Sequence, residues 1–163
     1  MTKRLACLMF ALAVGACATA PETRPVAADN GQPKMQAALG ALQAAMAEVQ
    51  AASPNKGGHR EAALGLIQQA IDAVNAGMQY AAAHANEAGA AEGPAQPEPV
   101  DEAVPGGENQ PHMARAIIQL REARKQLREA RHDKGGYRVQ GLQLIQQAIV
   151  QLREGINFAN GPR

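Results

Sequence analysis

The segment "NKGGHREAALGLIQQAID" at residues 55–72 recurs, with most of its letters kept, as "DKGGYRVQGLQLIQQAIV" at residues 133–150. When residues 35–82 are aligned without gaps to residues 113–160, 18 of the 48 positions are identical. Self-similarity at a fixed offset is the signature of a duplicated structural unit. We therefore predict that the chain contains two copies of one unit.

Each copy carries two runs of apolar residues at alternating steps of three and four, which is the spacing of one helix face. In the first copy these runs are Met35, Ala38, Leu42, Ala45, Val49 and Ala52, then Leu64, Ile67, Ile71, Val74, Met78 and Ala81. In the second copy they are Met113, Ala116, Leu120, Ala123, Leu127 and Ala130, then Leu142, Ile145, Ile149, Leu152, Ile156 and Ala159. Each copy is therefore predicted to form an antiparallel helical hairpin, with the stripes as its seam.

The Lys-Gly-Gly step interrupts the helical period in both copies, which marks it as the corner of the hairpin. Gly57 and Gly135 fall just past the first helix, where a glycine can take a left-handed backbone conformation at no steric cost. Gly58 and Gly136 are expected to add the freedom needed to reverse the chain.

An arginine follows each corner by two residues, in the first turn of the next helix, where a cation opposes the helix dipole. A lysine, free backbone N–H groups and an arginine could together bind an anion there. The candidate residues are Lys56, Gly58, Arg60, Lys134, Gly136 and Arg138. The alternative is that each arginine reaches a carboxylate or caps a neighbouring carbonyl.

Two hairpins suit an all-α four-helix bundle, because one hairpin of this size buries too little apolar surface to be stable alone. The predicted hairpins span residues 34–82 and 112–160, and a linker rich in Pro, Gly and acidic residues at 83–111 is predicted to be disordered. This linker leaves the docking direction open. Dimerisation through each hairpin separately is the competing arrangement.

The N-terminus predicts export. Residues 1–16 combine a basic start with an apolar run, as in a secretory signal peptide, and the following "VGAC" resembles a bacterial lipobox. The resemblance implies lipidation of Cys17, a flexible tether at residues 17–33, and an outer-membrane lipoprotein facing the periplasm. The alternative is a plain signal peptide that is cleaved after Ala16 or Ala20.

Reactive groups are not arranged in any recognisable catalytic pattern, so we predict no enzyme and no cofactor. The balance of 16 basic and 15 acidic residues gives no reason to expect nucleic-acid binding. The predicted function is a non-enzymatic binding or interaction protein of the cell envelope, held to the membrane by its lipid, with a protein partner or a second copy as its target.

The stretch "KGGHREAALGLIQQAI", with its Gly-His step between aliphatic helices, resembles the repeats of small periplasmic metal-binding proteins of bacteria, which are four-helix bundles. The resemblance implies an exported bundle and offers binding of copper, nickel or zinc as an alternative function. The candidate ligands are His59, His84, His112 and His132. That family is rich in histidine, whereas this chain has four, and Tyr137 stands where the second copy would repeat His59.

Overall fold

The computed structural model describes residues 32–54, 57–84, 110–131 and 135–161. Its elements are α1 (Pro33–Ala51), α2 (His59–Ala83), α3 (Pro111–Glu129) and α4 (Tyr137–Asn160). The all-α prediction is confirmed. The predicted signal peptide, Cys17 and nearly all of the predicted tether and linker lie outside the described residues.

The helices begin in the same way in both copies. α1 and α3 each carry a proline in the first turn, where the missing N–H has no intrahelical partner to lose. α2 and α4 follow Gly58 and Gly136, which have φ of 73° and 75°. The left-handed glycine is therefore the second one of each corner, so the assignment of that conformation to Gly57 and Gly135 was wrong. It caps the start of the second helix rather than the end of the first.

The four helices form a bundle, as predicted, but the closest partners are the equivalent helices of the two hairpins. α1 packs most extensively against α3, and α2 against α4, while the contacts within hairpin 1 (α1 and α2) and within hairpin 2 (α3 and α4) are smaller. Around the bundle the order is therefore α1, α2, α4, α3. The hairpins are held together more by each other than by their own helix pairs.

Neighbouring helices run antiparallel, which divides the bundle into two ends. At the Lys34 end, Lys34 of α1 contacts Glu129 of α3, and Tyr80 of α2 lies beside Tyr137 of α4. At the opposite, His112 end, the start of α3 meets the end of α1. α2 thus ends at the Lys34 end, whereas α3 begins at the His112 end.

The core is aliphatic. The predicted stripes of α1 and α3 are wholly buried, from Met35 to Ala52 and from Met113 to Ala130. In α2 and α4 the buried face is rotated towards small residues, which allow two helices to approach closely. These residues are Ala63, Ala70 and Gly77 in α2 and Gly141, Ala148 and Gly155 in α4. The predicted stripe members Leu64, Met78 and Leu142 are consequently only half-buried, and Ala159 is exposed.

One charged side chain is buried among the described residues. Arg124 of α3 is 8% exposed, and its Nη1 donates a hydrogen bond to Gln146 Oε1 of α4 at 2.8 Å. The equivalent position in the first copy is Met46, which packs against the core as a partly buried side chain. The second hairpin therefore joins its two helices through a polar contact that the first hairpin lacks.

Candidate functional site

The arginines of the two corners turn back onto the helices that precede them. Arg60 donates from Nε to the carbonyl of Val49 at 3.0 Å and from Nη2 to the carbonyl of Gln50 at 2.7 Å. These carbonyls belong to the last turn of α1, where intrahelical N–H donors run out, although the Val49 carbonyl also accepts the backbone N–H of Ala52 at 3.2 Å. The arginine therefore adds a charged donor to both acceptors.

The second corner repeats this capping of helix-end carbonyls by an arginine. Nη1 of Arg138 donates to the carbonyls of Arg128 and Ala130, at 3.2 and 3.3 Å. A guanidinium at the carboxyl end of a helix is also favoured by the helix dipole. An arginine that looks misplaced at the start of α2 or α4 is thus well placed for the end of α1 or α3.

At the predicted anion site, the nitrogens of Arg60 contact acceptors of the protein itself. The third nitrogen of Arg60, Nη1, faces the Glu61 carboxylate at 3.3 Å, so each nitrogen of this guanidinium already has an acceptor. Gly58 and Gly136 lie beside the arginines as helix caps, while Lys56 and Lys134 lie outside the described residues. The geometry favours capping of carbonyls, and anion binding stays a prediction.

The His112 end holds a charged cluster that joins the two hairpins. Nδ1 of His112 lies 2.8 Å from Oε2 of Glu48 and 3.1 Å from Nη2 of Arg115. Nε of Arg115 donates to the same carboxylate oxygen at 3.2 Å. The hydrogen bond from His112, joined by Arg115, lowers the pKa of the Glu48 carboxyl, although partial burial acts in the opposite direction.

His59 forms the second contact of this end. Its Nδ1 lies 3.0 Å from Gln151 Oε1 and 3.5 Å from a carboxylate oxygen of Glu154, both on α4. Its ring is tilted against Phe158, with 6.3 Å between the ring centroids. The first corner is thereby attached to the end of the opposite hairpin.

The Lys34 end has similar contacts at the aligned positions of the other copy. Position 34 corresponds to position 112, and Lys34 contacts Glu129 whereas His112 contacts Glu48, two carboxylates at positions that are not aligned with each other. The hydrogen bond from Lys34 lowers the pKa of the Glu129 carboxyl. Tyr137, at the position of His59, has its ring centroid 6.0 Å from that of Tyr80.

The candidate metal ligands are divided between the ends. His59 and His112 share one end, and His84 lies at the other, stacked on Tyr80 with its Nδ1 2.8 Å from the Tyr80 carbonyl oxygen. His132 lies outside the described residues. Within the described ranges no three His, Cys, Asp or Glu side chains are grouped so that they could hold a metal ion. Metal binding therefore stays a prediction.

Shallow depressions on the described helices include the following two. A groove of about 580 Å³ runs between α2 and α4, and a second of about 480 Å³ follows α3. The first is lined by Ala62, Leu66, Gln146, Gln147, Val150 and Gln151. The second is lined by Ile118, Arg121, Glu122, Arg124, Lys125, Arg128 and Glu129. One groove is uncharged and the other is mainly basic.

Sequence reasoning found the corner arginines and the histidines, but it missed the carboxylates that face them. Glu48, Glu129 and Glu154 belong to helix stretches that show no motif. Extending the alignment of the two copies by one residue gives one usable signal, because it pairs Lys34 with His112, and both side chains carry a nitrogen that can contact a carboxylate.

A comparison of this chain with family models, curated proteins and solved structures finds no match. The resemblances to lipoproteins and to periplasmic metal-binding proteins therefore stay predictions. Of the helices in the described ranges, none combines the length and apolar character that crossing a membrane requires.

Proposed function

We propose that the chain is an exported, lipid-anchored binding protein of the bacterial cell envelope, with no catalytic activity of its own. Residues 1–17 support export and lipidation, because they combine a basic start, an apolar run and a lipobox-like "VGAC". The lipid on Cys17 would hold the bundle at the outer membrane, facing the periplasm. The partner is a protein, which can be a second copy of this chain.

The observation that carries the binding role is the contrast between a shared core and unlike surfaces. The equivalent helices α1 and α3 bury matching aliphatic positions, and the interior is filled by such side chains. The exposed residues of α1 within the helix are uncharged, namely Ala37, Gly40, Gln43, Ala44, Ala47, Gln50 and Ala51. A face of small, uncharged side chains lets another helix approach closely.

Lipidation is tested by expressing the full chain and the Cys17→Ser variant in a bacterial host that processes lipoproteins. We expect the wild-type chain to enter the membrane fraction with an N-terminal mass increase of lipid size, and the variant to lack both properties. A wild-type chain that keeps its first sixteen residues, or that remains in the cytoplasmic fraction, would contradict export.

Partner binding is tested by placing a photo-crosslinking amino acid at Ala44 on α1, Lys125 on α3 or Gln147 on α4, three exposed positions. Irradiation of intact cells should give a discrete adduct from Ala44, with the other two positions as matched controls. The absence of an adduct at all three positions would count against a binding role. An adduct of twice the chain mass would identify a second copy as the partner.

A further inference from the structure

The charges of the chain are divided unevenly between its segments. Residues 112–160 contain nine Lys or Arg and four Asp or Glu, whereas residues 34–82 contain three of each. Residues 85–109, which lie outside the described residues, contain six acidic residues and neither Lys nor Arg. The second hairpin and the segment that precedes it are therefore opposite in charge.

Positive charge in the second hairpin is concentrated in the groove of about 480 Å³ along α3, which we call the basic groove. Arg121, Lys125 and Arg128 line it at helical spacing, which places them on one face of α3. Arg124 lies beside them, 8% exposed, and its Nη1 donates to Gln146 at 2.8 Å. The groove therefore presents several cations along one line.

Two carboxylates also line the basic groove, and each has a partner within the bundle. Glu129 contacts Lys34 of α1, and this contact lowers the pKa of its carboxyl. Glu122 accepts a hydrogen bond from Gln126 Nε2 at 2.6 Å. The four basic residues of the groove outnumber these two acidic ones, so the groove has an excess of positive charge. Such an excess favours a ligand that carries several carboxylates.

The acidic segment ends directly before α3, within reach of the groove. Three of its acidic residues, Glu98, Asp101 and Glu102, lie close together. The chain from Glu102 to Gln110 can span at most about 28 Å, whereas the rise from Gln110 to Lys125 along α3 is about 23 Å. A segment tethered so closely has an effective concentration on the order of millimolar, which favours it over a separate acidic protein.

We propose that residues 98–104, the acidic stretch, dock on the basic groove of the same chain with their carboxylates facing Arg121, Lys125 and Arg128. The two valines of the stretch supply apolar side chains to Ile118, which lines the groove and is 55% exposed. The inference concerns contacts within one chain, so it does not depend on export, on lipidation or on a partner at α1.

The first copy provides a matched reference for the groove. The α1 positions aligned with the three groove cations are exposed and uncharged, namely Gln43, Ala47 and Gln50. These residues are therefore compatible with the same place on the bundle. The groove variant, Arg121→Gln with Lys125→Ala and Arg128→Gln, installs them in α3 and removes its three cations.

The test places a photo-crosslinking amino acid at Ile118 of the purified full chain and maps the product by peptide mass spectrometry. We expect a link within one chain to the acidic stretch. Its yield should fall several-fold in the groove variant, and also when about 1 M salt screens the charges. The same amino acid at Gly40, the aligned position on α1 with no atom within 4 Å of an added methyl group, is the matched control and should give no such link.

A second variant, Glu98→Gln with Asp101→Asn and Glu102→Gln, changes no residue of the four helices and should lose the link in the same way. It provides the test if the groove variant does not fold. Glu87→Gln with Glu92→Gln, farther from α3 along the chain, should keep the link. The docking is overturned if the link persists in either folded variant, if Ile118 gives no link to the acidic stretch, or if it links instead to a second chain or another protein.

Discussion

α1 and α3 are aligned to each other in the two copies of the repeat, and they agree inside the bundle and differ outside it. Both begin at a proline, both span 19 residues, both bury the same five positions, and both are followed by a buried alanine at the C-cap. On the outside α1 exposes mainly alanine, glycine and glutamine, whereas the exposed residues of α3 include four charged ones, namely Arg115, Glu122, Lys125 and Glu129. The positions that pack between these equivalent helices are therefore alike, and the positions that face solvent differ.

The hairpin corners are also alike in the two copies, whereas the contacts between the hairpins differ. The arginine, its carbonyl acceptors and the left-handed glycine recur in both corners, because each replaces an interaction that the chain reversal removes. The side chains that contact the opposite hairpin at each end have changed identity. The contacts that cap the helix ends are therefore alike in the two copies, and the contacts between the hairpins differ.

Buried leucines at matched positions should contribute equally to the stability of the two hairpins. Leu42→Ala and Leu120→Ala each remove a fully buried side chain at matched positions and should each lower the free energy of unfolding by about 2–5 kcal/mol. Urea denaturation should give two values that agree within about 1 kcal/mol. Ile118→Ala, at a side chain that is 55% exposed, is the control and should cost under about 0.5 kcal/mol. A large cost in only one hairpin would show that the core is not shared equally.

The corner arginines are the next test. Arg60→Ala and Arg138→Ala leave helix-end carbonyls without a charged donor, which should cost about 1.5–3 kcal/mol each. Thermal unfolding measures this cost, and Glu61→Ala, which removes an exposed ion pair, should change stability by less than about 1 kcal/mol.

The same variants separate capping from anion binding. If the arginines act only as caps, phosphate should stabilise the wild-type chain and both variants to the same small extent. Stabilisation by phosphate that is lost in both arginine variants would instead support the predicted anion site.

Replacing either glycine cap should lower the stability of the folded chain, by less than the loss of a corner arginine. Gly58→Ala and Gly136→Ala force a side chain into φ near +75°, which should cost about 1–2 kcal/mol. Gly65→Ala, in the middle of α2 with no atom within 4 Å of the added methyl group, should instead gain up to about 1 kcal/mol. Calorimetric melting temperatures should therefore move in opposite directions, and a gain at Gly58 would contradict the left-handed assignment.

Acid sensitivity should be the smallest effect, and it should be present at both ends. Contacts with His112 and Lys34 lower the pKa of Glu48 and Glu129. These contacts therefore stabilise the folded chain above the ordinary glutamate value of about 4.3 and are lost as the pH falls through the lowered values. Glu48→Gln and Glu129→Gln should each flatten the fall in melting temperature between pH 5 and 3. A flattening in only one variant would mark the other contact as unimportant.

The helices, the bundle and the corner positions could be predicted from the sequence, because a 3.6-residue period and paired glycines are local signals. The packing partners could not. The long connection between residues 84 and 110 permits several docking directions, and the stripe in α2 runs through Leu64 whereas the buried face runs through Ala63. Hydropathy favours the leucine, but close approach of α2 to α4 favours the smaller residue.

The site was predictable only as a set of residue types. Arg60 and Arg138 stood out because they occupy an unfavourable place in their own helices. Their acceptors belong to the preceding helices, and that relation exists only after the chain has turned. The pairing of His59 with Glu154 required the docking direction, which no local pattern encodes.

The start of α1 and the end of α4 lie at opposite ends of the bundle. A helix of 24 residues rises about 36 Å at 1.5 Å per residue, so these two points lie about one helix length apart. A fluorescent group attached after Asn160 would consequently lie at the end of the bundle opposite a group attached at Gln32. The distance between labels at Gln32 and Asn160 would show whether the two hairpins stay packed together or separate.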